Sequence, residues 1–167
     1  MTPDRTSPYP VAADPAVLAA HSARLYYRYA KAVDDGDLDA LRDLVTDDVG
    51  VSRGEHPTEW GVEAFLDVYR AHNALRIPVC RHVVTNVRAE WDGGRVRTNA
   101  YFQATMFETD STRVITGSYA DDQLPIQGEL RIVHKRIQVA RVMYLPAAAD
   151  QFSHVGTKIS RDNSEHD

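Results

Sequence analysis

Three residues able to move or hold a proton stand where a small domain wants hydrocarbon. They are Tyr29 and Asp34 in "YRYAKAVDDGDLDALRDLVTDDV" and His82 in "CRHVVTN". The histidine interrupts an apolar strand, in which side chains alternate between two faces. Cys80, His82 and Val84 share one face, while Arg81, Val83 and Thr85 share the other. Because Arg81 prefers water, His82 is expected to point inward. A buried imidazole N–H left without a partner costs about 1–3 kcal/mol, and Asp34 is a candidate partner. An imidazole held by a carboxylate can remove a proton beside a carbonyl, the carboxylate setting its tautomer and steadying its cation. A phenol such as Tyr29 could donate to the developing enolate oxygen or to a leaving hydroxyl. Tyr29 and Asp34 lie about 140° apart around a straight helix. Both reach one cavity only if Asp34 sits at the helix end, where Gly36 lets the chain turn inward. A plainer alternative stays open from the residues: a core tyrosine, a turn aspartate and a structural histidine.

Other chemistry-bearing patterns are weaker. The seven histidines (21, 56, 72, 82, 134, 154 and 166) show no HxH, HExxH or paired-carboxylate spacing, so no metal is expected. Cys80 shares a strand face with His82, but positions i and i+2 stand about 7 Å apart. That separation reads as too wide for a thiolate–imidazole pair, and a buried cysteine is usually inert. The chain has no glycine-rich phosphate loop, and no cofactor is expected. Trp60, Tyr69, Tyr101, Phe102, Met106 and Phe107 are candidates to wall a pocket. Of each adjacent pair only one can face inward.

The elements that must position these residues follow from period and punctuation. Residues 1–12 read as a loose arm, 13–149 as one domain and 150–167 as a polar tail. Asp14 before Pro15 is a helix start, an N-cap acceptor followed by a residue that needs no N–H. Leu18, Ser22, Leu25, Tyr29 and Val33 then mark one helical face. Gly36 suits the C-terminal turn and Asp37 caps a short second helix burying Leu38, Leu41 and Leu44. "TDDVGVS" looks like a brief strand, and a third helix is expected from Thr58 to about Leu75. Four long strand candidates follow: "VCRHVVTNVRAEW", "RVRTNAYFQATMFET", "TRVITGSYADDQL" and "ELRIVHKRIQVARVMYL". "DGG" at 92–94 and "QG" before Glu129 supply hairpin turns. Helices first and long strands afterwards mean α+β, not a parallel βαβ sheet. A curved, mostly antiparallel sheet wrapped by three helices encloses a cone, and cones of this kind bind small molecules.

Composition narrows the partners. The chain has 167 residues, a formal net charge of −5 and no basic stripe, which speaks against nucleic acid. One cysteine rules out an internal disulfide framework and suits a reducing cytosol. No run approaches the ~18 apolar residues of a membrane span, and the first residues lack a signal-peptide core. A cytoplasmic protein is expected, with no membrane partner.

"RYAKAVDDGDLDALRDLVTDDV", "RHVVTNV", "GSYADD" and "LRIVHKRI", in that order, resemble the SnoaL-like branch of the nuclear transport factor 2-like superfamily. The likeness covers roughly Pro15 to Leu145. It implies a cone-shaped α+β barrel, and a lyase or isomerase of dehydratase or cyclase type that needs no cofactor. The substrate class it implies is an apolar polycyclic or polyketide-like molecule. By resemblance to the bile-acid dehydratases of the superfamily, Tyr29, Asp34 and His82 take the catalytic places. The branch often carries an aromatic residue on the short strand after the second helix. "VGVSR" has none, so any second phenol must come from elsewhere, such as Tyr101 or Tyr119. Some relatives turn an arginine of the last strand to the ligand, which makes Arg141 a binding candidate beside Arg136. The resemblance also implies a homodimer or homotrimer built on the open sheet face. Two other readings stand beside it: a non-catalytic β-subunit-like or ligand-binding protein, and a cyclase or epoxide-opening enzyme. The Asp–Arg–Asp set of the epoxide hydrolases cannot be assembled here.

Overall fold

The computed structural model describes residues 14–146. The expected arm and tail lie outside the described residues. Helix α1 (Pro15–Asp35) begins as its sequence requires: the Asp14 carboxylate accepts from the Ala16 N–H at 2.8 Å, and Pro15 fills the first position. It ends where Gly36 adopts a φ of 68°, a left-handed conformation that costs glycine nothing. Leu18, Ser22, Leu25, Tyr29 and Val33 are all buried, joined by Tyr26 and Ala30, so the buried stripe is broader than the five-residue face. Helix α2 (Leu38–Asp43) is capped by Asp37, which accepts from the Ala40 N–H at 2.9 Å. Leu41 and Leu44 are buried, and Leu38 is half-buried.

Strand β1 (Val45–Arg53) runs longer than the brief strand expected. The third helix corrects its sequence boundary. Residues 59–60 form a short strand β2 (Glu59–Trp60) paired antiparallel with Gly50 and Val51, and helix α3 (Val62–Ala74) starts only after Gly61, at φ 96°. A helix cannot run through that dihedral angle. Phe65, Leu66 and Tyr69 then face the core.

The remaining chain is β3 (Val79–Asp92), β4 (Arg95–Phe107), β5 (Ser111–Ile126) and β6 (Glu129–Pro146). Gly93–Gly94 and Gln127–Gly128, all at positive φ, make two of the hairpin turns. The sheet order is β2-β1-β6-β5-β4-β3. Every neighbouring pair is antiparallel except β1 with β6, which is parallel. The fold is α+β: three helices, two before β1 and one between β2 and β3, cover a curved, mostly antiparallel sheet.

Bulges reset the alternation within the long strands. Asn86, at φ 55°, lies in an irregularity between Thr85 and Arg88. Cys80 and Val84 are buried before it, Ala89 after it, so the inward face changes parity. On β6 the register with β5 skips Val133: Ile132 is buried, then Lys135, not His134. β4 carries no such break, and Val96, Thr98, Ala100, Phe102, Ala104 and Met106 all point inward.

Candidate functional site

Asp34 and His82 meet where the last turn of α1 crosses the outermost long strand. The carboxylate Oδ1 lies 2.7 Å from His82 Nδ1, and Oδ2 accepts the His82 backbone N–H at 3.0 Å. These two contacts fix carboxylate and ring together. An acceptor against Nδ1 places the ring proton on that nitrogen and leaves the lone pair on Nε2. Among the described residues no group is hydrogen-bonded to Nε2. The pair keeps a little exposure, 10% for the histidine side chain and 12% for the aspartate. Two clefts open beside it. One, of about 380 Å³, is lined by Tyr27, Ala30, Lys31, Arg81 and Val84 with the pair itself. The other, of about 320 Å³, is lined by Asp34, Gly36, His72, Asn73, Ile77 and Cys80 among others.

Cys80 is closer to this pair than strand geometry suggested. Its Sγ lies 3.7 Å from His82 Nδ1, which corrects the expectation that the two stand too far apart. The 7 Å spacing describes the backbone; on one face, a thiol and a wide imidazole can lean together. Burial, reinforced by the Asp34 carboxylate, pushes the thiol up to about 11, so the sulfur is protonated near neutrality and a poor nucleophile. The His72 ring stands 6.4 Å from that of His82, and burial, then the second imidazole, lowers its basicity.

Tyr29 belongs to a different layer. Its hydroxyl lies 2.8 Å from that of Tyr69, and both rings are buried within the cone. Tyr119 packs edge-on against Tyr29 at 5.8 Å and stacks on Phe102 at 4.5 Å. Above it sits a residue that sequence reasoning missed: Lys135, fully buried, with Nζ 3.1 Å from the Tyr119 ring centroid and 4.5 Å from that of Tyr29. Its ammonium donates to Asp121 Oδ2 at 2.8 Å, which also accepts from Tyr26 Oη at 2.9 Å. The Arg136 backbone N–H serves Asp121 Oδ1. Burial pulls Lys135 down to about 8 against the opposing pull of Asp121. Burial first, then neighbouring phenols, raises Tyr29 far above the ordinary tyrosine range; Tyr69 moves the same way through burial. The expected apolar cup is therefore lined with phenols around a buried ion pair. "LRIVHKRI" hid the lysine because strict alternation from Ile132 sends Lys135 outward, and only the bulge at Val133 turns it in.

The other expected pocket residues divide. Tyr69, Phe102, Met106 and Tyr119 face inward, Met106 in a small cluster with Cys80 and Ala104. Trp60, Tyr101, Phe107 and Arg141 do not, which corrects their assignment to an interior wall. Trp60 is 64% exposed and lies over Gly50 and His134 on the two-residue strand. Tyr101 and Phe107 occupy the outward positions of unbroken β4, and Arg141 is exposed on the far end of β6. Arg136 pairs with Asp122 at 3.0 Å on the outer surface.

A curved, mostly antiparallel sheet covered by three helices is a nuclear transport factor 2-like fold, and here a carboxylate–imidazole pair sits where the first helix meets the sheet edge. The chain belongs to the SnoaL-like domain family, whose pattern matches residues 21–136. Among solved structures it is similar to a candidate scytalone dehydratase from Novosphingobium aromaticivorans, with TM-score 0.70, 14% identity, and 77% of this chain and 87% of that one covered. It is also similar to hexachlorocyclohexane dehydrochlorinase LinA-type3 from Novosphingobium barchaimii (0.65, 20%, 78% and 90%). A third is a candidate aromatic ring hydroxylase from Novosphingobium aromaticivorans (0.66, 19%, 78% and 95%). Identities this low show the shared fold alone. A search of curated proteins found no match. Among the described residues no helix is long and apolar enough to cross a membrane.

Proposed function

We propose that this chain is a lyase that eliminates a small leaving group from an apolar polycyclic or polyketide-like substrate, with His82 as the base and no cofactor. One observation carries the reading: a histidine ring gripped through Nδ1 and its own backbone N–H by one carboxylate, with Nε2 hydrogen-bonded to none of the described residues, beside open clefts. The names of two fold relatives, a dehydratase and a dehydrochlorinase, both describe eliminations. In the proposed step Nε2 takes the proton from a carbon beside a carbonyl, and the C–H electron pair becomes the enolate double bond. The enolate then expels the β-hydroxyl, which leaves as water with the proton returned by the imidazolium. Asp34 stabilises that cation throughout. Isomerisation or cyclisation would share the first half of this sequence and differ only in where the enolate electrons go.

Tyr29 enters as a hydrogen-bond donor at the inner end of the site. It lies about 7.5 Å from Asp34 along the α1 axis, and its hydroxyl is held by Tyr69 in the buried layer behind the pair. Burial keeps both phenols protonated, which is the state a donor to a developing oxyanion needs. The test is turnover of β-hydroxy-ketones by wild type and His82→Gln. Loss of the base is expected to cost about 10²–10⁴-fold; an unchanged rate would end the proposal.

The packed interior favours a second reading. Aromatic rings and Lys135 occupy the cone, as would suit a non-catalytic β-subunit-like protein. That reading expects co-purification with an iron–sulfur partner and no effect of His82→Gln. Assembly with a second copy of this chain is proposed through the outer sheet face, where Val83, Tyr101, Gln103 and Ala140 line a shallow cleft of about 500 Å³.

A further inference from the structure

We propose that Asp34, Cys80 and His82 form a site for a thiophilic divalent cation, zinc above all, and that its occupancy silences His82. The cation part stands on the positions of three side chains; the silencing part rests on His82 being the base. One donor atom from each residue lies within 4.8 Å of the other two. Zinc bonds of about 2.0–2.1 Å to nitrogen and oxygen and about 2.3 Å to sulfur, at tetrahedral angles, set donor separations near 3.4 Å for N···O and 3.6 Å for S···N. The sulfur already stands at 3.7 Å from Nδ1. The carboxylate oxygen stands at 2.7 Å, so it must withdraw about 0.7 Å from Nδ1 when a cation replaces the shared proton, while closing on the sulfur, from which it lies within 4.8 Å, to about 3.6 Å.

Thiolate, imidazole and carboxylate together select zinc and its neighbours over magnesium or calcium, which take oxygen ligands. Oδ2 remains tied to the His82 N–H at 3.0 Å, a support that holds the ligating carboxylate in place. The cleft of about 320 Å³ that reaches Asp34 and Cys80 supplies an entry path and room for a fourth ligand. Water can fill that place, or the His72 imidazole across the same cleft.

Occupancy changes which nitrogen of His82 is basic. A neutral imidazole carries one proton. With Nδ1–H donated to Asp34, the lone pair is on Nε2; with a cation on Nδ1, the proton moves to Nε2 and the base is gone. The thiol proton is released to solvent, one for each cation bound. The three residues are thus a proton-transfer unit without the cation and a closed one with it.

Cobalt(II) titration of the chelator-stripped chain, without a histidine tag, tests the site by absorption. The chain has a single cysteine, so any thiolate-to-cobalt charge-transfer band belongs to Cys80. One equivalent of cobalt is expected to raise that band and release one proton, and zinc is expected to displace it. Cys80→Ser should abolish the band and weaken zinc binding, measured by calorimetry, beyond the roughly 10–100-fold cost of losing a supporting partner. No thiolate band at saturating cobalt, or equal zinc affinity in Cys80→Ser, overturns the site. Zinc that fills the site while turnover continues overturns the silencing. A cobalt band on a chain that turns over no substrate supports the site and counts against His82 as the base.

Discussion

At residue scale, the short contacts between Asp34 and His82 set what each substitution should do. Asp34→Asn keeps the shape but presents an amide to Nδ1, so the ring loses both its fixed tautomer and the charge that steadies its cation. Turnover should fall toward the level of His82→Gln while the thermal midpoint moves little, because the asparagine oxygen can still accept the His82 N–H. Similar rates in Asp34→Asn and wild type would detach the carboxylate from the chemistry. Tyr29→Phe reads a different interaction. It leaves the buried Tyr69 hydroxyl without its 2.8 Å partner, a loss expected to destabilise by about 1–3 kcal/mol. Chemical denaturation measures that term, and turnover per folded molecule separates it from any role as a donor.

At the scale of elements, bulges decide which residues meet. Gly117 sits at a register break between β5 and β6, where an added Cβ would lie 2.1 Å from the Gln138 carbonyl oxygen and 2.7 Å from the Phe102 ring. Gly117→Ala must therefore move backbone as well as side chain, and a loss of about 1–3 kcal/mol is expected. A thermal midpoint equal to wild type would show that the strands part without cost. The break on β6 matters more, since it turns Lys135 into the core against Asp121 of β5. Lys135→Met should destabilise by about 3–5 kcal/mol because Asp121 is left charged and buried. Lys135→Met with Asp121→Leu should recover much of that loss, and denaturant midpoints of the two variants check the difference.

At the scale of the whole molecule, the buried lysine makes stability depend on pH in a stated direction. Its folded value is lowered to about 8, so between about 8 and 10 the unfolded chain holds more protons than the folded one. Stability contributed by this group therefore rises with pH across that window. Above about 10 the sign reverses, because unfolded tyrosines ionise while Tyr26, Tyr29 and Tyr119 stay protonated. Melting curves at pH 8 and 9.5 should show an upward shift in wild type and none in the Lys135→Met, Asp121→Leu pair. The outer face offers a second check at this scale: Tyr101→Glu places a charge on the exposed apolar patch with Val83, and sedimentation should show dimers giving way to monomers.

Much of this is legible in the sequence alone, and for local reasons. Asp14–Pro15, Gly36 and Asp37 bound the first two helices because caps and left-handed glycines act within a few residues of themselves. The paired glycines and the Val- and Thr-rich runs did the same for the hairpins. The inward turn of His82 followed from the neighbouring arginine, as its alternation holds up to Asn86. What sequence alone could not supply was anything that depends on parity across a bulge or on contacts between distant segments. Lys135 entered the core, Trp60 left it, and Cys80 came to 3.7 Å from His82 Nδ1. A strand's period is a local property, but one extra residue in a register exchanges its two faces, and only pairing with a neighbouring strand determines where that residue falls.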